Sequence, residues 1–106
     1  MDAKRVRGVI SFSEEKMKKN SLFDSPYLFY DAYCLLPGQA QKVHAHEGSD
    51  KIYYVLEGRG SFTVGDEEED LGEGHVVIAR AGVPHGVRNE TDKDLVLLVT
   101  MAPRPS

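Results

Sequence analysis

The sequence predicts an all-β fold with a short helical turn near its N-terminus. The apolar runs are short and rich in Val, Ile, Tyr and Phe, the residues that suit a pleated, half-buried surface. Gly and Pro separate them at close intervals, at Pro37-Gly38, Gly58, Gly60, Gly65, Gly72, Gly74, Gly82 and Pro84. The 106 residues hold one small core, so a single domain over 1–106 is expected, in the form of an antiparallel sandwich or barrel.

Taken in order, residues 6–10 are an apolar first strand. Residues 13–20 read as a turn or two of helix: Ser13 caps it, Glu14 and Glu15 follow, and Lys18 and Lys19 close it. That order suits the helix dipole. Residues 27–36, 52–56, 61–64, 75–79 and 95–101 read as strands. The acidic run 66–70 reads as a solvated hairpin tip rather than a cation site, because like charges in a row repel. The tail 103–106, with two prolines, is expected to be loose.

Composition narrows the function classes. The formal charge of −4 gives no diffuse positive field, so neither nucleic acid nor an anionic membrane is expected as a partner. A lone Cys34 rules out an internal disulfide framework and a Cys-rich zinc module. Cys34 itself reads as a small buried hydrophobe. No apolar run approaches the length of a membrane span, and no apolar signal stretch follows Lys4, Arg5 and Arg7. A cytoplasmic protein is the expectation. Nothing in the chain resembles a phosphate loop, a Ser-His-Asp set or a supported Cys-His pair.

The histidines carry the chemistry. His44 and His46 are two apart, a spacing that puts both rings on one face of a strand, where they can share a metal at about 2.0–2.1 Å. Their surroundings sharpen the signal. Gly38 precedes His44-Ala45-His46 by five residues, Lys51 follows after four, and Gly58 after six more. Further on, Gly74, Arg80, Gly82, His85 and Asn89 are separated by five, one, two and three residues. This pattern resembles the two signature motifs of the cupin superfamily, and its core spans 38–89. The resemblance implies a single jelly-roll (double-stranded β-helix) barrel of the small cupin type. It also implies a metal site of three His and one Glu.

Carried over by position, His44, His46 and His85 are the implied metal ligands, and Lys51 stands where the family has Glu. Arg80 stands where the family has Pro, and reads as an exposed turn residue. Asp50 lies one residue early and would point to the opposite strand face; it or Glu47 substitutes only if the backbone before Ile52 is irregular. A divalent ion with three neutral imidazoles keeps a charge of +2 and prefers an anion at its open positions. Two readings are open at Lys51. Facing inward, it pairs with an anionic substrate or acts as a base. Otherwise it swings out or pairs with Glu47 or Asp50, and the metal site has decayed. Tyr53 shares the Lys51 face by alternation, either lining the cavity with its hydroxyl or filling the core. His75 lies outside the motif positions and reads as an exposed strand-start residue.

The function expected is that of a small cupin holding a divalent metal (Zn, Fe, Ni, Mn or Cu) on His44, His46 and His85. It would act on a small anionic organic molecule, with dioxygenase or isomerase chemistry as examples and with Lys51 and Tyr53 as candidate catalytic residues. The alternative is a binding or sensor module without turnover, its site altered by Lys51. A homodimer is expected, with the 6–10 segment a candidate for strand exchange.

Overall fold

The computed structural model describes residues 1–105. Within them nine strands form two antiparallel sheets. Strands β1 (Lys18–Asp24), β2 (Phe29–Leu35), β4 (Asp50–Glu57), β7 (Val76–Ala79) and β9 (Leu95–Ala102) make one sheet, in the order β1-β2-β9-β4-β7. The other holds β3 (Ala40–His44), β5 (Arg59–Val64), β6 (Glu67–Gly72) and β8 (His85–Arg88), in the order β3-β8-β5-β6. The topology is the jelly roll that the family resemblance implied.

Alternation builds the core. On β4, Lys51, Tyr53 and Val55 point inward while Asp50, Ile52 and Tyr54 point out. Tyr33, Leu35, Tyr53, Val55, Phe62, Val87, Leu95, Leu97 and Val99 meet between the sheets. The β4–β5 corner turns at Gly58, whose φ is +85°; a Cβ there would sit 2.3 Å from the Asp94 carbonyl oxygen.

From residue 27 onward, each apolar run predicted as a strand is one. The differences lie at the N-terminus and where charge or polarity hid a strand. Of residues 66–70, only Asp66 lies at the hairpin tip. The turn falls at Gly65 and Asp66, and the remaining acids form β6, paired residue for residue with β5 and exposed at the edge of its sheet. Residues 13–20 are not helical. Bends lead into β1, whose Asn20 and Leu22 are buried, and this packing outweighs the weak preference of a two-turn helix. The helical turn is a 3-10 turn at Val6–Gly8, so the 6–10 segment is not a strand and offers none for exchange. The tail is tied down as far as Arg104. Its side chain pairs with Asp24, its N–H donates to the Tyr27 carbonyl, and the Pro103 carbonyl accepts from Ser49 Oγ at 2.7 Å. Ser106 lies outside the described residues. Among those described, no helix is long and apolar enough to cross a membrane.

Candidate metal centre

The two histidines of β3 and β8 are set by pairing. His44 ends β3 directly opposite His85, which opens β8, across a ladder that is irregular between Gln41 and His44. Gly86 makes the close pairing possible, since a Cβ there would lie 2.8 Å from the Gln41 carbonyl oxygen and 3.0 Å from Val43 N. His46 is not on the strand, contrary to the same-face expectation. The chain has left β3, and Gly82 N–H holds the His46 carbonyl at 2.9 Å. Its ring still lies with the other two.

The ring centroids of His44 lie 4.7 Å from His46 and 4.5 Å from His85, and His46 to His85 is 6.0 Å. One nitrogen from each ring falls within 4.8 Å of the others. The tautomers favour ligation. Nδ1 of His44 donates to the Lys42 carbonyl at 2.8 Å and Nδ1 of His85 to the Val83 carbonyl at 2.9 Å, which leaves both Nε2 lone pairs free. His85 Nε2 is buried with no partner among the described residues. Burial, with the neighbouring His and Lys51 charges, holds the pKa values of His46 and His85 below the usual imidazole range. The neutral imidazole is the ligating form.

Among the described residues no carboxylate completes the set. Asp50 Oδ1 accepts from Ala81 N–H at 2.9 Å on the outer side of β4, and the Glu47 carboxylate lies against Gly82. Neither belongs to the three-His group. Lys51 does not swing out. It is 1% exposed, and its ammonium sits 5.2 Å from the ring centroids of both Tyr33 and Tyr53. Burial, aided by repulsion from Lys19 and opposed by Asp31, brings its pKa down to about 7.

Tyr53 is wholly buried beneath the His85 ring, centroids 6.2 Å apart, and packs edge-on against Phe62. Its hydroxyl donates to Gln41 Oε1 at 2.7 Å, and burial raises its pKa. Gln41 is the site residue that sequence reasoning missed. The remaining candidates lie elsewhere. His75 is exposed, with Nδ1 on the Gly72 carbonyl, and Arg80 is exposed. Cys34 is fully buried and unpaired, its thiol pushed up by burial. Asn89, the last motif position, is structural: its Nδ2 donates to the Leu35 and Lys93 carbonyls, pinning the loop between β8 and β9.

The Cupin domain family profile matches residues 32–101. Among curated proteins, the oxalate-binding protein of Thermotoga maritima is 33% identical over 67 residues, 63% of this chain and 55% of that protein. The chain spans between half and three-fifths of the length of the curated relatives it matches. Among solved structures, TT1209 from Thermus thermophilus is 52% identical with a TM-score of 0.96, covering 99% of this chain and 100% of that one. A predicted oxalate decarboxylase from Thermotoga maritima is 25% identical with a TM-score of 0.79, covering 82% of this chain and 80% of that one.

Proposed function

The chain belongs to the cupin family, and on that premise we propose that it is a metal-binding protein acting on a small anionic organic molecule. His44, His46 and His85 are the proposed ligands. The observation that carries the reading is their convergence, with one nitrogen of each ring within 4.8 Å of the others and His85 Nε2 buried and unpartnered. A divalent ion of the zinc, iron, nickel, manganese or copper set would supply Lewis-acid or redox chemistry at open positions. The chain's own residues do the rest. Backbone carbonyls orient His44 and His85, and the apolar core excludes water from one side of the site. Lys51 presents a cation to the ligand, and Tyr53 positions Gln41 rather than reacting itself. The relatives with oxalate in their names support a small carboxylate as the anion.

A second reading, binding without turnover, is favoured by the lost carboxylate ligand and by the oxalate-binding relative. Residence in the cytoplasm, one domain over the whole chain and a homodimer complete the proposal; the free buried thiol of Cys34 suits a reducing compartment. Elemental analysis of untagged protein, purified without chelator, tests the centre. Metal near one equivalent per chain is expected, falling at least tenfold in His44→Ala or His85→Ala. Metal-free protein that also resists reconstitution overturns the metal reading.

A further inference from the structure

One buried donor inside the barrel, Gln41 Nε2, has no acceptor among the described residues, and one buried lysine beside it has no counter-ion. The Lys51 ammonium meets the faces of Tyr33 and Tyr53, and no carboxylate lies within ion-pair distance of it among the described residues. Ring faces offset part of the desolvation of an ammonium but satisfy none of its directed N–H bonds. Gln41 is 8% exposed. Its Oε1 is taken by the Tyr53 hydroxyl, and its Nε2 has no hydrogen-bond partner among the described residues. Buried donors of this kind cost stability unless something accepts from them.

Both donors frame the same ring as the three-His group. Lys51 lies over the Tyr53 face, Gln41 binds the Tyr53 hydroxyl, and the His85 ring packs against Tyr53. An oxyanion would answer both groups. A carboxylate has two coplanar oxygens, one for the ammonium and one for the amide N–H, and its charge balances a lysine that the fold leaves unbalanced. A neutral acceptor would leave that charge uncompensated.

We propose that Lys51 and Gln41 form a carboxylate subsite beside the histidine group, and that the ligand is a small dicarboxylate. One carboxylate occupies this subsite and the other faces His44, His46 and His85. The far end rests on the metal reading above; the Lys51–Gln41 end stands without it.

Calorimetric titration of the zinc-loaded chain with malonate and with acetate tests this. Malonate is expected to bind about tenfold or more tighter than acetate. Lys51→Met should reduce that preference to about twofold or less with zinc content unchanged in the same samples. Gln41→Glu places a counter-ion beside Lys51, so it should also abolish the preference while raising the melting temperature. It serves as an independent second variant. Equal affinity for the two acids overturns the proposal, as does a preference that survives in either folded variant. If the native chain takes up no zinc, the metal reading fails separately, and malonate is titrated into the metal-free chain. Binding lost in Lys51→Met then upholds the subsite; binding absent, or unchanged in the variant, overturns it.

Discussion

A lysine with 1% of its surface in solvent titrates unlike one in water. Lys51 falls from its ordinary 10.5 to about 7, chiefly through burial. Between about 7 and 10.5 the unfolded chain therefore holds more protons than the folded one, and stability rises with pH. Below about 7 both states are protonated, and the folded chain bears the full penalty of a buried charge. Lys51→Met removes it. The variant should be more stable than the native chain by about 2–5 kcal/mol at pH 6, the gain shrinking steadily toward pH 10. Urea denaturation of both chains at the two pH values checks this, and a gain independent of pH would sink it. The sequence located this residue by its place in a spacing pattern, and with it the three histidines. Gln41 was invisible there, because its role depends on which way β3 faces and on a neighbouring tyrosine hydroxyl.

At the level of elements, the site depends on how closely β3 lies against β8. Gly86 sets that distance: the atoms a methyl group would meet there, Gln41 O and Val43 N, are backbone and cannot rotate away. Gly86→Ala should push β3 outward and separate His44 from His85, which face each other across the pair. A loss of about 1–3 kcal/mol in stability is expected, together with a metal dissociation constant raised by about tenfold or more. Thermal melts and competition with a chromogenic chelator measure the two effects, and unchanged metal affinity would show that the pairing does not position the ligands. These two strands were also hard to read in sequence. β3 and β8 are short and mix Gln, Lys, His, Gly and Arg, so neither shows clean alternation. β6 carries acids on both of its faces and is held by its ladder to β5, with Ser61 bonding Asp70 and Arg88 pairing Glu68. Strands with several core side chains announced themselves; β3, β6 and β8, which give the core at most one apolar side chain each, did not.

For the whole molecule, the outer face of the five-stranded sheet is divided. Its β1–β2 side is covered by the N-terminal segment, where Ser11 bonds Asn20 and Lys4 reaches the Leu22 carbonyl. On its β4–β7 side Ile52, Tyr54, Val76 and Ile78 form two cross-strand pairs in the open, the last two each 53% exposed. These four side chains carry no charge, so a second copy meets no repulsion from them, and theirs is the surface on which the proposed homodimer would form. Light scattering of the native chain should give twice the chain mass, and Ile78→Lys should give a monomer that keeps its metal. A native chain that stays monomeric at high concentration overturns this. The acidic edge has the opposite consequence. A foreign strand adding to β6 would stack carboxylates against its exposed Glu67, Glu68, Glu69 and Asp70 at about 4.8 Å. That row makes the four-stranded sheet a poor template for fibril growth, so its open edge needs no covering strand to stay solitary.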